Sequence, residues 1–136
     1  MQEVPHVTRA NIEAVLTILP NLTHCGVGFP RQYPGDPPFD EARDRASLLE
    51  SADACEKSCR WLGTVVRVER INHRRSTYGL KHIMQRETGE YVTNGAFIAA
   101  AIHMGFKWRV LPGEINVLLG VSERSLKGRP RPCSPL

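Results

Sequence analysis

From Tyr91 to Phe106 the chain reads YVTNGAFIAAAIHMGF, a stretch without a single Asp, Glu, Lys or Arg. Helix signals bracket it: Thr93 is a suitable N-cap and Gly105 a suitable left-handed stop. A helix that is apolar nearly all round has no face to offer water, so it has to be enclosed. Its alanines allow close approach of neighbouring backbones. The rest of the chain must therefore supply the elements that cover it.

Three segments have the periodicity to do so. From Thr8 to Leu19, the residues Ile12, Val15, Leu16 and Leu19 follow the i, i+3, i+4, i+7 spacing of one helix face, with Thr8 as cap and Pro20 as stop. Over 40–62, Asp40 caps and Ala42, Ala46, Leu49, Ala52, Cys55, Cys59 and Leu62 form a second such face. Past Gly63, the residues Val65, Val66, Val68 and Ile71 suit a helix or a short strand; continued helix is favoured, because no proline intervenes. Over 77–88, capped by Ser76 and closed by Gly89, Leu80, Ile83 and Met84 face inwards with Tyr78 at their edge. The expected fold is mainly α: a compact multi-helix single domain over 1–126 with a buried central helix. One short strand is an option near the C-terminus, where Ile115, Val117, Leu119 and Val121 alternate.

From Pro20 to Phe39 inclusive there are five prolines and three glycines. Regular structure is not expected there, and residues 21–38 read as a long loop that offers Phe29 and Tyr33 as aromatic anchors. Residues 127–136, KGRPRPCSPL, read as a disordered basic tail. No apolar run approaches the roughly eighteen residues of a membrane span, and the N-terminus lacks a secretory signal, so a cytoplasmic protein with reduced cysteines is expected.

Helices 77–88 and 93–104 with their four-residue turn have the outline of a helix-turn-helix. A recognition helix reads base edges with Arg, Lys, Asn, Gln or Glu. The second helix offers only Thr93, Asn94 and His103, so it is assigned to the core.

Charge points elsewhere. Residues 1–59 carry five Lys/Arg against nine Asp/Glu, and residues 60–136 carry thirteen against five. The densest cationic run, Arg60 to Arg86, holds seven Lys/Arg with Glu69 as its only acid. If helical, it would stack Arg67, Arg70 and Arg74 on one side, where they could follow a phosphate backbone. Arg67, Arg70, Arg74, Arg75 and Lys81 are the candidate nucleic-acid or partner-binding residues. The plainer alternative is a solvated face paired with the acidic residues of 36–56.

Catalytic and metal chemistry find little footing. Cys55 and Cys59, at i and i+4, could ligate zinc with His24 and Cys25, but both fall on the apolar face, where a thiol serves as a small hydrophobe. The histidines are scattered, and there is no nucleophile elbow, Gly-rich phosphate loop or carboxylate pair. No metal site, no cofactor and no enzymatic activity are expected.

The residues YGLKH and YVTNGAFIAAAIHMGF, with the preceding Cys-x-Trp-Leu and the Arg-rich stretch, resemble a group of uncharacterised small proteins encoded on bacterial plasmids, integrative elements and prophages. The resemblance covers about Cys59 to Phe106. It implies a mobile-element accessory protein that binds nucleic acid or, alternatively, blocks a host defence complex in the manner of an anti-CRISPR. It assigns no site residues.

Overall fold

The computed structural model describes residues 6–28, 30–127 and 129. Among them the element order is α1 (Arg9–Ile18), β1 (Leu22–Thr23), β2 (Gly26–Val27), α2 (Glu41–Leu49), α3 (Ala52–Leu62), α4 (Thr77–Thr88), α5 (Asn94–His103), β3 (Trp108–Val110), β4 (Val117–Leu119) and α6 (Glu123–Leu126). Helices take up 46% of these residues and two antiparallel two-stranded sheets accompany them, so the architecture is a helical core with small sheets. The compact helical part of the expectation holds, while the small sheets make the fold mixed and not clearly mainly α.

Helix α5 is the centre. Every residue from Asn94 to Ile102 is buried, and Ala96, Phe97, Ile98 and Ala101 have no exposed surface. Thr93 caps it by accepting from the Ala96 amide. Helix α3 lies alongside: the Cys55 thiol donates to the Ala96 carbonyl at 3.5 Å and Cys59 to that of Ala100 at 3.9 Å. Both pairs advance by four residues in the same direction, so the two helices run parallel, with cysteines and alanines at the contact allowing close approach. Helices α1 and α4 cover further sides through Ile12 and Val15, and through Leu80 and Met84. At the N-terminal end of α5, the Gly95 amide donates to the His24 carbonyl in the β1–β2 hairpin.

Caps set several boundaries. Thr8 and Asn11 form a reciprocal capping box at α1, and the Asp40 carboxylate accepts from the Arg43 amide. Gly89 ends α4 at φ 72°. Ser76 stands at the N-cap of α4 without a side-chain capping bond, and bridges to Leu118 instead.

Four expectations need correction. The helix expected over 40–62 breaks at Glu50–Ser51 into α2 and α3. Ala42 and Ala46 are exposed, Leu48 carries the buried face of α2, and α2 rests on α1 and β1 while α3 alone meets α5. The segment after Gly63 is extended, not helical. The supposed loop 21–38 begins with the β1–β2 hairpin, whose Leu22 and Thr23 are fully buried; Tyr33 is exposed, and Phe29 lies outside the described residues. Tyr78 is likewise exposed. The alternating C-terminal residues do form a strand, β4, which pairs with β3 in the register Trp108–Leu119, Arg109–Leu118, Val110–Val117.

Arg129 is the one described residue beyond Lys127, and it is anchored. Its guanidinium donates to the Glu87 carboxylate at 2.8 Å, to the Thr64 carbonyl at 2.7 Å and to the Ser125 carbonyl at 3.0 Å, and lies 5.4 Å from the Trp61 ring centre. Residues 128 and 130–136 lie outside the described part.

Candidate nucleic-acid interface

The basic run takes its shape from pairing with a segment about fifty residues downstream. Val68 donates its amide to the Gly120 carbonyl at 2.9 Å, Ser122 to Val66 at 2.8 Å, and Asn72 to Leu119 at 2.9 Å. On the opposite side Gly120 donates to Lys107 at 2.8 Å, so residues 66–68 lie along 120–122, the segment that directly follows β4, with Lys107 next to β3 on its other side. Only glycine fits at 120, because a Cβ there would stand 2.2 Å from the Val68 carbonyl oxygen.

Beyond this pairing the chain reverses on Asn72. Its side-chain amide donates to the Val121 carbonyl and to a Glu123 carboxylate oxygen, both at 3.1 Å, and its own oxygen accepts from the Arg74 amide at 2.8 Å. A side-chain turn of this kind fixes the backbone of the next residues. Arg70, His73 and Arg74 are carried outwards on it. Together with Lys127 they border a groove of ≈ 420 Å³, with Val68, Ile71 and Val121 among its apolar lining.

The five sequence-predicted residues divide. Arg70 and Arg74 are exposed, line the groove, and their side chains make no hydrogen bond or ion pair with a described residue. Arg67 turns away and donates to the Met104 carbonyl at 2.7 Å, closing the C-terminal end of α5, where a cation also suits the helix dipole. Arg75 is bound to both oxygens of Glu123 at 3.0–3.2 Å. That bond, followed by the Asn72 contact, holds the Glu123 carboxyl below its ordinary value. Lys81 is 8% exposed, with its ammonium 5.0 Å from the Tyr91 ring centre, and burial lowers its pKa. The helical stripe of Arg67, Arg70 and Arg74 therefore does not form.

His73 and Lys127 belong to the groove but were not singled out for it; the basic character of the tail was the one sequence signal for Lys127. No ion pair joins a cation of 60–86 to an acid of 36–56 among the described residues. Arg60 acts on Glu56 only as one of the lesser influences, its carboxylate being lowered chiefly by the Val7 amide.

The cysteines do structural work. Burial pushes the Cys55 thiol up to about 12 and that of Cys59 to about 11, away from the thiolate a zinc site requires. Cys25 approaches an Asp44 oxygen at 3.7 Å, and burial followed by that carboxylate raises its pKa. The neighbouring His24 ring faces the Thr93 hydroxyl at 3.5 Å, so thiol and imidazole are not paired as nucleophile and base. No group of three or more His, Cys, Asp or Glu among the described residues could hold a metal ion. No described helix is long and apolar enough to cross a membrane.

No protein family, curated protein or solved structure matches this chain.

Proposed function

We propose that the protein is a non-enzymatic, nucleic-acid-associated accessory protein of a mobile element, whose phosphate contacts are made by Arg70, Arg74 and Lys127 around the groove. The observation that carries this reading is the division of labour within the basic run. Arg67, Arg75 and Lys81 are engaged by other groups of the chain, while the side chains of Arg70 and Arg74, on either part of one fixed turn, make no hydrogen bond or ion pair with a described residue. Guanidinium groups held out by a fixed turn suit anionic oxygens; Arg70 forms no ion pair with a described acid, and Arg74 acts on Glu123 only as a lesser electrostatic influence behind Arg75 and Asn72. The one carboxylate on the groove, Glu123, is already matched by Arg75. The resemblance of residues 59–106 to mobile-element proteins supports the same setting.

Arg70→Glu with Arg74→Glu is the test. Both side chains lie outside the core, so the variant keeps its circular dichroism spectrum and melting behaviour. Binding of mixed DNA and RNA at low salt should be lost or nearly so, and neutralising the pair with Gln should flatten the log–log salt dependence by about two phosphate contacts. Unchanged binding and an unchanged salt slope refute the reading.

A second reading rests on a different observation. Val66 and Val68, 54% and 36% exposed, flank the isolated bridge of Arg67 to Val121, and Val68 lines the groove. Extended backbone of this kind can accept an acidic segment of a host protein complex, as an inhibitor of host defence requires. A pull-down that survives nuclease treatment and is lost with Val66→Lys favours this alternative.

A further inference from the structure

We propose that the nucleic acid bound is single-stranded, with unpaired bases stacking on Tyr78 and Tyr91. This rests on the nucleic-acid reading above and adds the class of strand and the residues that select it.

Both tyrosines are well exposed, 57% for Tyr78 and 67% for Tyr91. Tyr78 stands on α4, and Tyr91, in the segment that follows the helix, packs against Lys81 of the same helix. With 3.6 residues per turn, Lys81, Gln85, Tyr78 and His82 fall in a single sector of roughly 100° beside the buried stripe of Thr77, Leu80 and Met84. Tyr78 meets the His82 ring edge-on, with centroids 4.4 Å apart and planes at 70°. Tyr91 is held against the Lys81 ammonium. Each ring therefore has a neighbour that fixes it on one side and a large surface open to water.

The charge around these rings suits a polyanion. Lys81 stands behind Tyr91, and Arg86, one turn beyond His82, is exposed. The acids nearby are already engaged: Glu90 faces Lys57 at 3.8 Å, and Glu87 is held by Arg129 and by the Trp61 ring N–H. Arg74 precedes Tyr78 by four residues, at most about 14 Å of chain. A strand whose phosphates rest on Arg70 and Arg74 thus has bases within reach of Tyr78.

A duplex leaves this equipment idle. Its bases are already stacked, and the helix that could have entered a groove, α5, is enclosed by the core. Open aromatic faces beside a cationic path are the means by which proteins hold unpaired bases without reading their sequence.

The test compares a labelled strand of about 20 nucleotides, longer than the ~4–16 typical of such sites, with its duplex, as DNA and as RNA, at one salt concentration. The wild-type protein should bind the single strand at least about tenfold more tightly. Tyr78→Ala and Tyr91→Ala should each weaken it by roughly five- to hundredfold, the usual worth of one stacked base, with duplex binding unchanged. Tyr→Phe at either site should retain single-strand binding, since the ring remains. Equal or tighter binding of the duplex, or Ala variants indistinguishable from wild type, overturns the proposal. If charge reversal at Arg70 and Arg74 abolishes binding while the tyrosine variants have no effect, stacking alone falls. If the wild type binds neither strand nor duplex, the nucleic-acid reading falls with it.

Discussion

Gly95→Ala and Gly79→Ala are the same chemical change in the first turns of two helices, and the structure gives them opposite signs. Helix propensity alone favours both, by up to about 1 kcal/mol per Gly→Ala in a helix interior. At Gly79 an added Cβ meets nothing within 4 Å and φ is not positive, so a gain of about 0.5–1 kcal/mol is expected. At Gly95 the same Cβ would stand 1.9 Å from the Thr23 carbonyl oxygen and 2.8 Å from the His24 carbonyl. Those atoms are backbone, in a hairpin whose Leu22 and Thr23 are fully buried, and they cannot swing aside as a side chain would. Relief requires α5 and the hairpin to separate, at about 1–3 kcal/mol or more for overpacking. Separation also stretches the 3.0 Å bond from the Gly95 amide to His24, worth about 1 kcal/mol. After subtracting the propensity gain, the net loss is about 1–3 kcal/mol. Urea denaturation at pH 7 reads both variants directly: with a slope of about 2 kcal/mol per molar, Gly95→Ala lowers the midpoint by about 0.5–1.5 M and Gly79→Ala raises it slightly. A Gly95→Ala midpoint at or above wild type would show that the hairpin does not seat on α5 as described.

Three further outcomes are open to measurement. Glu123 has its folded-state pKa depressed, so the stability it contributes is present above its unfolded value, about 4.3, and is lost as pH falls through the lower folded value; Glu123→Gln should cost about 1–2 kcal/mol at pH 7 and progressively less in acid, measured by denaturation across pH. The Cys55 and Cys59 thiols have raised folded values, so their contribution is full below about 8.5 and declines as pH rises above it, and brief iodoacetamide treatment at pH 8 followed by peptide mapping should leave both unmodified in the folded protein. Arg129→Ala should lower stability by about 1.5–3 kcal/mol through loss of its charge-assisted bonds, and Arg129→Lys should recover less than half, because an ammonium cannot span Glu87 and Thr64 as the guanidinium fork does, with thermal unfolding as the readout.

The parts of the fold that the sequence expressed clearly are those in which local signals and burial agree. Helices α1, α4 and α5 have their caps, stops and apolar spacing within a dozen residues, and the absence of charge from Tyr91 to Phe106 identified the centre directly. The failures share a physical cause. Alanine suits a helix interior or its surface equally, so Ala42 and Ala46 extended a pattern that belongs to Leu48, and the break at Glu50–Ser51 has no Pro or Gly to mark it. Val65, Val66, Val68 and Ile71 fit two periodicities, and the deciding partner of Arg67, Val121, lies far along the chain. The glycines at 26 and 28, with φ 129° and 77°, read as breakers, yet Gly26 opens β2 and Gly28 follows it directly at the end of the hairpin. Among the arginines, composition counts charge but not its assignment: Met104 and Glu123 claim Arg67 and Arg75 only once the chain has folded.

That assignment is what gives the groove its sign. Glu123 is 21% exposed on its side chain and borders the groove with Arg70, His73, Arg74 and Lys127. Left alone, its carboxylate would offset one cation and repel an approaching phosphate at short range. Arg75 binds both of its oxygens, and Asn72 donates to it while also fixing the turn that carries Arg74. Arg75 and Asn72 thus neutralise most of the acid, and Asn72 also shapes the backbone that holds Arg74 outwards, with Arg74 left as a lesser influence on Glu123. Edge pairing of residues 66–72 with 118–122 is the condition for all of it, because it brings Asn72 and Arg75 to Glu123 across about fifty residues of chain. A helical basic run, as the local sequence suggested, would have exposed more arginines and aligned none of them with this turn. The extended form presents fewer free cations but sets them around one groove beside the Tyr78 flank of α4. On the proposed reading, a partner would have to match both a phosphate path and exposed rings, which is a narrower requirement than positive charge alone.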